Sequence, residues 1–157
     1  MLQPMSRPYL LMIEDDLADA ELARAALLGG RFEVDFGHAF DGEQGLSQLR
    51  SLFAQTPTPS AVMVLLDLGL PGVSGMDVLQ EIKTSPALRA VPVVVFSGTA
   101  DAERVKAALQ AHANAYIHKA DDVDLYARRI NQVAETFLLY TASPLARPSS
   151  MASQPSA

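Results

Sequence analysis

Short apolar runs alternate along the chain with longer segments that have helical spacing. The short runs predict buried strands, and the longer segments, which begin near acids and end at glycine or proline, predict helices. The predicted strands are residues 9–13, 33–39, 62–66, 93–96 and 115–118. The predicted helices are residues 19–28, 43–53, 74–84, 101–111 and 123–140.

This alternation predicts an α/β domain in which a parallel sheet is covered by helices on both faces. The domain is expected to span residues 9–140. Residues 1–8 are then an N-terminal extension. Residues 141–157, which are rich in proline and serine, are expected to be a disordered tail.

Polar residues directly follow four of the predicted strands. Glu14-Asp15-Asp16 follows the first strand, Asp67 the third, Ser97 the fourth and Lys119 the fifth. Because the carboxyl ends of parallel strands meet at one edge of a sheet, these side chains are expected to form a site.

The residue types at this edge favour phosphoryl chemistry. Crowded carboxylates from Glu14, Asp15 and Asp67 suit Mg²⁺, a hard ion that binds oxygen ligands. An aspartate such as Asp67 can accept a phosphoryl group as an aspartyl-phosphate. The charge of Lys119 and the hydroxyl of Ser97 would stabilise the oxygens of the transferred group.

Composition removes several classes of function. The net charge of −6 and the pI of about 4.9 argue against a nucleic-acid partner. The chain has no cysteine, which excludes disulfides and cysteine-ligated zinc. No apolar run approaches the roughly 18 residues of a membrane span, and no signal peptide is visible. The sequence therefore predicts a soluble cytoplasmic protein.

The four motifs together resemble the receiver domain of two-component response regulators. The matching residues are Glu14-Asp15-Asp16, Asp67 with the following Leu-Gly-Leu-Pro-Gly, Ser97-Gly98 and Lys119, and the resemblance runs over about residues 9–139. It implies a flavodoxin-like (βα)5 fold with strand order 2-1-3-4-5. It leaves no room for a separate output domain.

The resemblance also implies a role for each matching residue in a phosphoacceptor switch, as opposed to an enzyme. Asp67 would accept a phosphoryl group from a sensor histidine kinase. Mg²⁺ would be held by Glu14, Asp15, Asp67 and the backbone carbonyl of Gly69. Ser97 and Lys119 would bind the phosphoryl group, and Tyr116 would be the aromatic residue that changes rotamer on activation. Packing is an equally good explanation for Tyr116.

A finer resemblance concerns residues 114–119 and the long helix that ends at 137–140. They are similar to stand-alone regulators encoded with bacterial phytochromes, which implies a phytochrome-like histidine kinase as the phosphodonor. It also implies a homodimer through the last strand and helix. The apolar positions of this helix could all belong to the core, but they are more than one face needs; they are Ile130, Val133, Phe137, Leu138 and Tyr140.

The chain departs from the family pattern at two places. The family usually has proline after the lysine, where this chain has Ala120. A cis bond before a non-proline residue costs roughly 3–4 kcal/mol. The positions two residues after Asp67 and Ser97 hold Gly69 and Thr99, whose small side chains leave a phosphoryl group open to water.

Other interpretations remain open. The chain would be a Mg²⁺-dependent phosphohydrolase if Asp67 were the nucleophile of a turnover reaction, although such enzymes tend to have an acid where Gly69 stands. A flavin or nucleotide module of the same architecture would need a glycine-rich phosphate loop, which is absent. A phosphate sink without an effector fits as well as a messenger. Asp16 is interpreted as a solvated acid and His118 as structural, and His38 and His112 lack metal-ligand spacing.

Overall fold

The computed structural model describes residues 6–98, 101–119 and 121–139. Five strands and five α-helices alternate through these residues. Predictions about residues 1–5, Thr99, Tyr140, the Lys119–Ala120 bond and the tail at 141–157 lie outside the described residues. The elements are β1 (Tyr9–Ile13), α1 (Leu17–Leu28), β2 (Asp35–Ala39), α2 (Gly42–Ala54), β3 (Val62–Leu66), α3 (Gly75–Thr84), β4 (Val93–Ser97), α4 (Ala102–Gln110), β5 (Ala115–His118) and α5 (Val123–Ala134), which continues as a π-helical turn (Glu135–Leu139).

The strands form one parallel sheet in the order β2-β1-β3-β4-β5. This order confirms the flavodoxin-like prediction. β1 lies between β2 and β3, with Tyr9 opposite Asp35 on one side and Val62 on the other. The chain goes from β1 to β2 on one side and then crosses back over β1 to β3 on the other, so strand order reverses here. Open α/β sheets bind ligands at the carboxyl ends of the strands at such a point.

Alternate residues of each strand pack against different layers of helices, because successive side chains of a strand point to opposite faces. Leu11 and Ile13 of β1 pack with α2 and α3, whereas Leu10 and Met12 pack with α1 and α5. β3 and β4 are buried along their whole length. Burial on both faces explains why the central strands are continuous apolar runs instead of alternating ones.

Each α-helix begins after a polar side chain that accepts a hydrogen bond from a backbone N–H of the first turn. These caps are Asp16, Asp41, Ser74, Asp101 and Asp122. The sequence predicts a solvated acid at Asp16, and the residue is exposed but also caps α1. The predicted start of α1 at residue 19 was therefore late, since the cap belongs to the run of acids after β1.

The apolar positions of the last helix serve mainly the core of this chain. Ile130, Val133 and Leu138 are buried, and Phe137 packs partly buried against the same cluster. These four residues therefore do not form the surplus apolar face on which a dimer was expected from the sequence. Within the part of the chain that the structure describes, no helix has both the length and the apolar character needed to cross a membrane.

Candidate functional site

Three carboxylates gather at the switch point between β1 and β3. Glu14 follows β1 and Asp67 follows β3, and ladder hydrogen bonds extend past the strand ends to both residues. The Glu14 N–H donates to Ala39 O at 3.0 Å, and the Asp67 N–H donates to Ile13 O at 3.1 Å. Carboxylate oxygens of Glu14, Asp15 and Asp67 lie within 4.8 Å of one another. The backbone thus holds the acids together despite their repulsion.

Lys119 supplies the positive charge at this edge of the sheet. Its Nζ donates to Glu14 Oε2 at 2.7 Å, to Asp19 Oδ2 at 2.9 Å and to Asp67 Oδ2 at 3.4 Å. The Lys119 N–H donates to Ser97 O at 2.8 Å, which ties the end of β5 to the end of β4. An ammonium group has three N–H donors, so these three carboxylates use all of them.

Burial, hydrogen bonds and nearby charges shift the pKa values of Glu14 and Lys119. Burial raises the pKa of Glu14 to about 8, with the nearby charge of Asp67 acting in the same direction and the hydrogen bond from Lys119 acting against it. Burial alone would lower the pKa of Lys119, but its hydrogen bonds to Glu14 and Asp19 and the charges of Glu14 and Asp67 raise it overall. Lys119 therefore stays charged, while Glu14 holds a proton unusually well.

Sequence reasoning missed Asp19. It lies in the first turn of α1, where an acid is expected simply because of the helix dipole. Tyr126 of α5 donates its hydroxyl to the Asp19 backbone carbonyl at 2.8 Å, and burial raises the pKa of Tyr126. One signal was available: α1 begins just after Glu14, so its first turn must lie beside the same sheet edge.

The second oxygen of Asp67 is also bound. The Gly69 N–H donates to Asp67 Oδ1 at 2.9 Å. The first residue of α3, Gly75, packs directly on the backbone here, since a Cβ on it would lie 2.4 Å from Asp67 O and 2.5 Å from Leu68 Cα. Glycine at position 75 is thus required for this close approach, which couples α3 to the candidate phosphoacceptor.

The remaining predicted site residues lie around this cluster. Ser97 is the buried last residue of β4, the strand next to β3. Tyr116 of β5 lies opposite Val95 of β4. It is half-buried and packs against the core on the side of the sheet covered by α2, α3 and α4. Gly69 is exposed at the loop after β3. The structure therefore brings Glu14, Asp15, Asp67 and Lys119 together and leaves the roles of Ser97, Tyr116 and the Gly69 carbonyl as predictions.

The histidines lie outside the carboxylate cluster. His38 Nε2 is 2.6 Å from the backbone oxygen of Glu14, and the exposed His118 has its Nδ1 2.6 Å from Lys119 O. Both rings contact backbone oxygens. Among the described residues, the only group of acids, histidines or cysteines spaced to hold a metal is Glu14, Asp15 and Asp67.

The sequence-family model of the response regulator receiver domain matches residues 10–131, and the chain belongs to this family. It is 31% identical over 135 residues to the response regulator Rcp1 of Synechocystis sp. (strain ATCC 27184 / PCC 6803 / Kazusa), covering 85% of this chain and 90% of that protein.

Solved structures of response regulators are similar to this chain, and two of them are informative here. A crystal structure of the Mn²⁺-bound form of Rcp1 superposes with a TM-score of 0.72 at 28% identity, covering 83% of this chain and 94% of the other. A structure of the phosphorylated cyanobacterial phytochrome response regulator RcpA gives a TM-score of 0.76 at 30% identity, covering 88% and 98%. The chain is thus a receiver domain similar to a phytochrome-associated regulator.

Proposed function

We propose that this chain accepts a phosphoryl group on Asp67 from a sensor histidine kinase and acts as a signalling switch. The observation that carries the proposal is the contact between a carboxylate at the switch point and a half-buried lysine, Asp67 Oδ2 to Lys119 Nζ at 3.4 Å, beside two further acids. A nucleophilic carboxylate with fixed positive charge nearby is the arrangement that phosphoryl transfer needs.

The transfer would begin with attack of an Asp67 carboxylate oxygen on the phosphorus of a phosphohistidine. The new O–P bond forms as the N–P bond breaks, and the imidazole nitrogen keeps the electron pair and takes up a proton from solvent. Lys119 lies where its ammonium can bind an oxygen of the transferred group. The Gly69 N–H holds the other Asp67 oxygen and orients the carboxylate.

The carboxylates also fit a divalent cation. Glu14, Asp15 and Asp67 offer hard oxygen ligands within 4.8 Å of one another, and Asp15 is exposed to incoming ions. We expect these residues, with the Gly69 carbonyl, to hold Mg²⁺. Bound Mg²⁺ would neutralise charge on the carboxylates and on the phosphoryl oxygens.

A switch is favoured over a phosphohydrolase by the loop after Asp67. The position two residues on is Gly69, which has no side chain to act as a general acid and instead donates its N–H to Asp67. Steady turnover of small phosphate esters would favour the hydrolase.

Whether the switch is a messenger or a phosphate sink depends on whether a downstream partner binds it. We expect the kinase contact and the switch to operate in the cytoplasm.

Acetyl phosphate tests the proposal without a kinase. The full chain incubated with Mg²⁺ and acetyl phosphate should gain about 80 Da, the mass of one phosphoryl group on an aspartate. Asp67→Asn should remove the gain. Asp77→Asn, the same change on the exposed first turn of α3, is the matched control and should label normally. Labelling of Asp67→Asn to the wild-type level would reject Asp67 as the acceptor.

We further propose a phytochrome-like histidine kinase as the donor. The support is the similarity to RcpA, a cyanobacterial phytochrome response regulator, at 30% identity over 88% of this chain. Phosphoryl transfer from a bacteriophytochrome kinase should be faster than from an unrelated sensor kinase and should change with illumination. Equal rates from both kinases would argue against the pairing, as would a different type of kinase gene beside this one.

A homodimer through β5 and α5 is the remaining proposal on partners. β5 is an edge strand, and Leu109 on α4 and Val123 on α5 are 48% and 58% exposed. Light scattering after size-exclusion chromatography should give twice the chain mass, and Val123→Glu should reduce it. A monomer at all concentrations would reject this proposal.

A further inference from the structure

Asp19 has no role in the proposed phosphoryl transfer, yet it binds the lysine on which that transfer depends. Its Oδ2 lies 2.9 Å from Lys119 Nζ, closer than the 3.4 Å between Lys119 and Asp67. Since Glu14 and Asp67 accept the other two N–H donors, Lys119 has none left for a phosphoryl oxygen. A phosphoryl group on Asp67 therefore competes with these carboxylates for the N–H donors of Lys119.

Exposure indicates which carboxylate is replaced. The side chain of Glu14 is 2% exposed, so water cannot take the place of Lys119 beside it. Asp67 carries the phosphoryl group itself. The side chain of Asp19 is 29% exposed, and water can solvate it once Lys119 has left. Asp19 is thus the partner that Lys119 can lose at least cost.

The backbone of Asp19 is held on two sides. It belongs to the first turn of α1, where its N–H donates to the Asp16 cap at 3.3 Å. Its carbonyl accepts the Tyr126 hydroxyl from α5 at 2.8 Å, and Tyr126 packs edge-on against Phe96 with ring centroids 5.3 Å apart. The carboxylate therefore remains beside Lys119 and is able to bind it again.

We propose that Asp19 is an intramolecular competitor that holds Lys119 until a phosphoryl group on Asp67 displaces it. Asp19 acts through Lys119 and is a positioning residue for the site. The inference rests on the proposed function. In this proposal, Asp19 sets how tightly the site binds a phosphoryl group.

The affinity of the full chain for beryllofluoride, a phosphoryl mimic, tests this inference. Titrations with saturating Mg²⁺, followed by ¹⁹F NMR, should show that Asp19→Asn binds about fivefold more tightly than wild type, a change typical of a partly exposed ion pair. Asp19→Ser, which removes the reach of the side chain, should behave in the same way and provides a second variant. Asp19→Glu keeps the charge and should return the affinity towards wild type.

Glu21→Gln is the matched control, because it also removes an acid from α1 but at a side chain that is 60% exposed and contacts Arg24. It should leave the affinity unchanged. Salt separates contact from long-range repulsion. Raising the ionic strength from about 0.1 M to about 1 M shortens the Debye length to about 3 Å, so a through-space effect disappears while direct competition persists.

Each outcome has a definite meaning. Tighter binding by Asp19→Asn that persists in high salt, with an unchanged Glu21→Gln, supports the competitor. Unchanged or weaker binding by both the Asn and Ser variants overturns it, and so does a gain that vanishes in high salt. Wild-type protein that binds no beryllofluoride at all would instead overturn the proposed function, and with it this inference.

Discussion

Two half-buried lysines at opposite edges of the sheet have opposite pKa shifts. Lys119, past the carboxyl end of β5, donates to three carboxylates, and its pKa is raised. Lys83, near the amino ends of β4 and β5, donates to the carbonyls of Arg89 and Val91 at 3.3 and 2.7 Å and to Asn114 Oδ1 at 2.9 Å. Burial lowers the pKa of Lys83.

The difference lies in the acceptors. Neutral oxygens satisfy the donors of Lys83 and join the loop after α3 to the start of β5, which is a structural role. Lys119 is instead surrounded by the carboxylates of Glu14, Asp19 and Asp67, of which Glu14 and Asp67 can also bind a metal ion. We infer that the amino edge of the sheet is built for stability and the carboxyl edge for exchange of partners.

The largest expected effect separates the two lysines directly. In the absence of divalent ions, Lys119→Met should lower the free energy of unfolding by about 3 kcal/mol, because Glu14 is left buried without its cation. It should also abolish labelling by acetyl phosphate. Lys83→Met should cost about 1–3 kcal/mol for the unpaired carbonyls but should still label. Urea unfolding and intact mass measure both, and loss of labelling in Lys83→Met would contradict the division.

Mg²⁺ should stabilise only through the carboxyl edge. At a Mg²⁺ concentration one hundred times its Kd, the free energy of unfolding should rise by about 2.7 kcal/mol. Thermal unfolding of Asp15→Asn should show little of this gain, whereas Lys83→Met should keep all of it. An equal response in all three proteins would mean that the ion binds elsewhere.

The pH dependence should follow Glu14. Its pKa rises from 4.5 to about 8 on folding, so between these values the folded state binds more protons than the unfolded state. The stabilisation is complete below about pH 4.5 and is lost as the pH rises to about 8. Urea unfolding of metal-free protein across this range should show the decline, and Glu14→Gln should not. A free energy of unfolding that increases with pH would contradict the raised pKa.

The smallest change in stability is expected when a carboxylate is placed beside Lys83, as carboxylates already lie beside Lys119. Asn114→Asp places a carboxylate beside Lys83, where Asn114 Oδ1 already accepts from Lys83 and from the Val93 N–H. The pKa of Lys83 should rise, while stability changes by no more than about 1 kcal/mol because the position is exposed. NMR titration of the lysine side chain checks the direction. A fall in the pKa would show that burial dominates over the charge.

Much of this fold follows from local patterns. Continuous apolar runs identified β1, β3 and β4 to within a residue, and acids or serine before helical spacing identified the helix starts. β2 was placed two residues early, since Glu33 and Val34 continue an apolar alternation that the sheet does not pair. Sequence spacing left open whether the apolar positions of the last helix belong to the core or to a dimer face, because it does not show that α5 packs against both α1 and the sheet.

The sequence predicted that Glu14, Asp67 and Lys119 lie together, but it did not predict which contacts they make. Glu14, Asp67 and Lys119 follow strands, so their meeting is a consequence of parallel topology. Asp19 was missed because its partner lies 100 residues further along the chain. An acid in the first turn of a helix is already explained by the helix dipole. Only the contact between Asp19 and Lys119, which follows β5, indicates a second role for it.

The order of elements and the residue types at the carboxyl ends of the strands follow from the sequence alone, because hydrophobic periodicity and the residues after each strand are local properties. The tertiary structure decided which oxygens surround which lysine. Lys83 and Lys119 are the same residue type. Lys83 lies near the end of α3, and Lys119 directly follows β5. Burial and charge at each site depend on elements distant in sequence, and those non-local contacts set the opposite directions of the two pKa shifts.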